Sequence, residues 1–137
     1  MRKDWNKLPE EIKEHGLDFH WDNQKVWSLN IPVEEMDITE LEWMLDMPFW
    51  HNKDEEEINY TICPSEVIRD IHLYPFHKER MMKAKIEYPI DLMQNKHGRW
   101  VILDGVHRLI NLIQQGERKV KVRRISRDLI SQIEETA

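Results

Sequence analysis

The residues best suited to chemistry lie together in Leu103-Asp104-Gly105-Val106-His107-Arg108. The apolar run from Trp100 to Leu103 ends there in an acid and a glycine, and an apolar helical pattern then continues to Gly116. This order predicts a strand, a tight turn and the first turn of a helix within about ten residues. Such a junction suits an anion, above all a phosphate, because a helix start carries unpaired N–H groups and the positive end of the peptide dipole. Gly105 allows close backbone approach to a ligand or a turn with positive φ. The N–H of Val106 belongs to the same cradle, His107 offers an imidazole, and Arg108 offers a planar fork to two oxygens. Asp104 suits a ribose hydroxyl, a metal ion or the proton of a substrate alcohol.

A second cluster lies upstream in His77-Lys78-Glu79-Arg80. His77 and Arg80 are three apart and share one helix face, so they clamp the same anion if their helix crosses the turn. Otherwise they form a surface pair beside Glu79. A structural metal site is not expected: His72 and His77 are five apart rather than four, and Cys63 has no second cysteine. Cys63 precedes Pro64 at a predicted helix entry, where a thiol is either activated by the helix start or, lacking an adjoining base, inert.

Positioning these groups requires a small set of elements. Pro9 and Gly16 bracket a short helix. Lys25 to Ile31 alternates partly in period two and predicts a strand ending at Pro32. Asp37-Ile38-Thr39-Glu40 reads as an acidic capping box opening a helix over about 38–46. Asn52 to Glu57 is a solvated acidic loop by composition. Helices are expected from Pro64 to Ile71 and from His77 to Ile86, the second with Met81, Met82 and Ile86 inward. The runs 89–93 and 99–103 predict a hairpin, followed by a helix from Val106 to about Gln115. Lys119 to Arg123 alternates strictly as a strand, and Ser126 caps a last helix carrying Leu129, Ile130 and Ile133.

With 137 residues, 40% hydrophobic and 34% charged, the chain is expected to form a single α/β (α+β) domain over 1–137. Residues 1–63 read as an acidic, Trp-rich N-terminal extension, 64–125 as the core and 126–137 as a terminal helix. No apolar run approaches the roughly 20 residues of a membrane span. The lone cysteine and the absence of an apolar leader predict a cytoplasmic protein. Residues 1–63 carry 6 Lys/Arg against 16 Asp/Glu, a net −10, whereas residues 64–137 carry 14 against 10, a net +4. The basic half suits an anionic ligand, while the acidic half weighs against broad DNA binding. Lys119, Lys121, Arg123, Arg124 and Arg127 suit either nucleic acid or the protection of a sheet edge, the second being favoured. Five of the six tryptophans precede residue 51 and are expected to fill a core or meet a protein partner through residues 1–63.

The order Pro89-Ile90, hairpin, Val101-Ile102-Leu103-Asp104-Gly105-Val106-His107-Arg108-Leu109, helix, Gly116 and short strand resembles the ParB/sulfiredoxin-like superfamily, over roughly residues 64–125. The resemblance implies a small mixed sheet with helices packed on it and a nucleotide phosphate bound at the glycine turn. ATP, ADP or CTP, with Mg²⁺, would be the ligand. Where sulfiredoxins carry a reactive cysteine before the His-Arg pair, this chain has Val106. Where ParB partition proteins carry Gly-Glu-Arg-Arg, it has Gly105-Val106-His107-Arg108, and no helix-turn-helix domain is expected after Gly116. The turn is most similar to the Asp-Gly-His-His-Arg of ADP-dependent free-serine kinases, in which the upstream His is followed by a catalytic Glu. Here Lys78 follows His77 and Glu79 comes one place later, a helical rotation of about 100°. Asp104 is then the leading candidate base and Glu79 the displaced one. The implied functions are a small-molecule phosphotransferase or nucleotide hydrolase, or a non-catalytic nucleotide-sensing module.

Overall fold

The structure is a computed structural model that describes residues 6, 8–48, 50–51 and 60–135. Its centre is a mixed sheet of four strands, β1 (Val33–Asp37), β4 (Ile90–Gln94), β5 (Trp100–Asp104) and β6 (Lys119–Ile125), ordered β1-β6-β4-β5. A separate two-stranded piece pairs β2 (Trp50–His51) with β3 (Tyr60–Ile62). The helices are α1 (Glu10–His15), α2 (Asn23–Trp27), α3 (Pro64–Arg69), α4 (Pro75–Lys83), α5 (Val106–Gln114) and α6 (Ile130–Ile133). The mixed α/β class expected from the sequence is the class the chain adopts.

The hairpin of β4 and β5 forms where two apolar runs flanking a glycine-containing loop predict it, and its loop is shaped by side-chain chemistry. Asn95 Oδ1 accepts from the backbone N–H groups of His97 and Arg99 at 2.9 and 3.0 Å, and Gly98 takes the positive φ of 81°. From β5 the chain passes through α5 to β6, which lies parallel to β4 and antiparallel to β1. The inner strands β4 and β6 carry Ile90, Leu92, Met93, Val120, Val122 and Ile125, all buried. Leu109 and Ile110 of α5 join the same core, as do Val26 of α2, Val67 of α3 and Ile133 of α6. Described residues before Cys63 contribute to the same core: Met36, Ile38, Leu41, Met44 and Leu45 are buried in this cluster.

Four expectations are corrected. Lys25–Ile31 is not a strand: Asp22 caps α2 by accepting from Gln24 N at 2.9 Å, and the strand begins only after Pro32. Arg123 fixes that outcome by donating to the carbonyls of Val26 and Leu29, which a paired strand would have needed for its ladder. The helix expected over 38–46 is two tight 3₁₀ turns, 38–40 and 42–46. In α4 the inward position belongs to His77, which is buried, whereas Met82 is 68% exposed. Finally, β6 is an interior strand, so its lysines protect no edge. The acidic run Asn52–Glu57 lies outside the described residues. Among the described residues no helix is long and apolar enough to cross a membrane.

Candidate functional site

The turn at Gly105 is built by packing. Its φ of 118° belongs to the left-handed region, and a Cβ placed there would lie 3.0 Å from Ile90 Cγ1 and 3.4 Å from Ile90 Cα. Glycine is therefore demanded by backbone conformation and by β4 beneath it, before any ligand is considered. Leu109 N makes the first intrahelical bond, to Gly105 O at 2.9 Å. The N–H groups of Val106, His107 and Arg108 precede that bond and have no acceptor within the helix. The start of α5 forms one wall of a cleft of about 530 Å³, and α4 supplies the other through Phe76, Glu79, Arg80 and Lys83. That volume lies in the range of small-molecule sites.

Each charged group in the cleft has a distinct standing. Arg108 does not present its fork to the cleft: Nη2 donates to Asp104 Oδ2 at 2.7 Å and Nη1 donates to the carbonyl of Pro89. Asp104 Oδ2 also accepts from Trp27 Nε1 at 2.8 Å, and Oδ1 has no hydrogen bond among the described residues. Glu79 is tied to Lys83 at 2.7 Å, one helical turn away, and that hydrogen bond holds its carboxyl below the usual range, which makes it a weaker base. Arg80 lies 5.7 Å from the Phe76 ring centroid and has no ion pair among the described residues.

Behind the turn, His77 and His107 form a stacked pair on Trp50. His77 Nδ1 and His107 Nε2 are 3.0 Å apart. The two imidazole centroids lie 4.0 and 4.8 Å from the indole, at interplanar angles of 15° and 12°. The imidazoles are only 5.3 Å from each other, so both rest on the same face of the indole. Burial, with the positive fields of His77 and Arg80 added, lowers the His107 pKa to about 4. His107 is thus a neutral imidazole at neutral pH, supplying a hydrogen-bonding ring rather than a positive charge.

A polar row continues across the sheet beneath this site. The β4–β5 register shifts between Asp91 and Leu92, leaving Leu103 as an extra residue and setting Asp104 directly opposite Asp91. Asp91 in turn lies beside Arg123 of β6, and Arg123 Nε donates to Asp91 Oδ1 at 2.6 Å in a buried ion pair. Burial raises the Asp91 pKa despite this partner.

The structure therefore brings Asp104, Gly105, Val106, His107, Arg108, Glu79 and Arg80 to one cleft and puts His77 in the wall behind His107. Sequence reasoning missed Phe76, Lys83 and Trp50. Lys83 was legible as the residue one turn beyond Glu79, whereas nothing local marks Trp50. The other candidates do not converge here. His72 accepts from Lys78 Nζ at 3.1 Å on the surface, and the described residues contain no group of three or more His, Cys, Asp or Glu placed to hold a metal ion. The Cys63 thiol donates to the Asp46 carbonyl at 3.3 Å, and burial with nearby Glu66 pushes its pKa up to about 11, which disfavours the reactive thiolate. The predicted basic strip is broken up: Arg123 is buried, Arg124 pairs with Glu34 at 3.7 Å, and Arg127 donates to Gln94 O.

No family model, curated protein or solved structure matches the chain. What the cleft does chemically follows from its own geometry.

Proposed function

We propose that this chain is a ParB/sulfiredoxin-like protein that binds a phosphorylated small molecule, a nucleotide such as ATP, ADP or CTP, at the start of α5. The observation that carries this reading is Arg80. Of the cations lining the cleft, Lys83 and Arg108 already have carboxylate partners, and Arg80 has none among the described residues. It shares the cleft with the unpaired N–H groups of Val106, His107 and Arg108, so an anion there gains both a charge-assisted partner and a helix start. Neutral His107 adds a ring hydrogen bond at the same wall.

Asp104 Oδ1 is the acidic group best suited to bind Mg²⁺ alongside the phosphates or to take a proton from an acceptor hydroxyl. Glu79 is not, because its carboxylate carries Lys83. Phosphoryl transfer, nucleotide hydrolysis and nucleotide sensing share the binding step and diverge at this carboxylate.

Thermal unfolding with ATP, ADP, CTP and inorganic pyrophosphate, with and without Mg²⁺, tests the binding. A ligand at about 100 times its Kd stabilises by about 2.7 kcal/mol, a rise in Tm of roughly 8 °C for a chain of this size. Arg80→Ala is expected to remove most of that rise while leaving the unliganded Tm unchanged. If none of these ligands stabilises the wild-type chain, the phosphate reading fails. Turnover of a bound nucleotide that is lost in Asp104→Asn identifies an enzyme, and binding without turnover identifies a sensing module.

A further inference from the structure

A second cavity, of about 500 Å³, lies on the other side of Arg108, lined by Trp27, Tyr88, Pro89, Asp91, Arg108 and Arg123. Its floor is charged and its rim is aromatic. Asp91 is 3% exposed and gives Oδ1 to Arg123, yet Oδ2 has no hydrogen-bond partner among the described residues. Oδ2 is not among the polar atoms sealed inside the protein without a partner, so it is the oxygen that the cavity reaches. A nearly buried carboxylate oxygen with no donor among the described residues is a place where an N–H entering the cavity would gain a hydrogen bond. Arg108 stands beside it with one N–H of each terminal nitrogen engaged and the others available. Arg123, by contrast, uses all three of its nitrogens within the chain.

The rim is preorganised. Trp27 is 57% exposed but fixed, its indole N–H on Asp104 and its helix end held by Arg123 through the Val26 carbonyl. Tyr88, 56% exposed, stands on a turn closed by its N–H on Lys85 O at 3.1 Å. Two large rings thus border a cavity whose floor holds a donor set next to an acceptor. The charges around it balance, Asp91 and Asp104 against Arg108 and Arg123, so neither a phosphate nor an organic cation is favoured.

We propose that this cavity binds a small, neutral, planar heterocycle whose edge presents a hydrogen-bond donor beside an acceptor. The donor meets Asp91 Oδ2, the acceptor takes an N–H of Arg108, and the ring face lies against Trp27 and Tyr88. The two cavities share Arg108, but this proposal rests on Asp91, Trp27 and Tyr88 and does not depend on the phosphate reading.

The test is a titration of the full ¹⁵N-labelled chain with cytosine, adenine and 2-pyridone, each carrying such an edge, and with N-methyl-2-pyridone, which keeps the acceptor but has no N–H. Cytosine, adenine or 2-pyridone is expected to shift the Trp27 indole N–H and the amides of Tyr88 and Asp91, and N-methyl-2-pyridone is expected not to. Tyr88→Ala, an exposed change that leaves Tm unaltered, weakens binding about tenfold through the lost stacking surface. Arg80→Ala, which empties the other cleft of phosphate, leaves heterocycle binding unchanged. The proposal is overturned if none of the three rings perturbs these signals, if N-methyl-2-pyridone binds as well as 2-pyridone, or if Tyr88→Ala binds as tightly as the wild type.

Discussion

The neutral state of His107 makes stability depend on pH in a defined window. In the folded chain its pKa is lowered to about 4 from the ordinary 6.5, because burial disfavours the charged ring and His77 and Arg80 add to that effect. Between these values the unfolded chain binds a proton that the folded chain refuses, so stability is full above about pH 6.5 and falls as pH drops toward 4. Applied to the two pKa values, linkage gives a loss of at most about 2 kcal/mol between about pH 7 and pH 5, since His107 is only half-buried and solvent screens part of the effect. The perturbation that isolates it is His107→Gln, which cannot titrate but keeps a side chain able to hydrogen-bond His77. Urea unfolding of both proteins at several pH values gives the difference between them, from which titrating groups remote from the His77–His107 pair cancel. Wild type is expected to lose stability relative to the variant as pH falls from 7 to 5. Parallel curves for the two proteins would refute the assignment of a buried, neutral imidazole stacked on Trp50.

Gly105→Ala forces an L side chain into φ 118° and toward Ile90, and is expected to cost about 2–4 kcal/mol in chemical denaturation. Arg123→Met leaves Asp91 buried without its partner and frees the carbonyls of Val26 and Leu29; a loss of about 3–5 kcal/mol is expected, read as a lower urea midpoint. The Cys63 thiol, raised from 9.0 to about 11, is expected to alkylate with iodoacetamide roughly a hundredfold more slowly at pH 8 than an ordinary thiol, and at the ordinary rate once the chain is unfolded.

The hairpin, α5 and β6 were legible because local signals agree there: strict alternation, a loop ending in glycine, then apolar residues at helical spacing up to Gly116. Lys25–Ile31 misled because its two-residue alternation is short, and what decides its conformation is Arg123, almost a hundred positions later, collecting two of its carbonyls. The position of His77 misled for a related reason. An imidazole reads as a surface group until Trp50 supplies a flat apolar face for it, and that contact joins residues from three separate elements. The strand end, glycine turn and helix start at 104–108 were readable, but the use of Arg108 was not. Its acceptors are a carboxylate one helical turn back and the Pro89 carbonyl at the entry to β4. Likewise the Asp91–Asp104 alignment depends on one extra residue in β5, a register detail that no pattern in the sequence records.

Among the described residues Arg108 alone lines both cavities, so ligands in the two proposed sites would be coupled through it. A molecule in either cavity that draws the guanidinium toward itself loosens its hold on Asp104 and Pro89, and with Asp104 moves the acceptor of the Trp27 indole. Occupancy of one side then alters affinity on the other, and thermodynamic reciprocity requires the factor to be the same in both directions. A single residue so placed sets the sign of that cooperativity: negative where the two ligands compete for its N–H groups, positive where one fixes the orientation that the other needs.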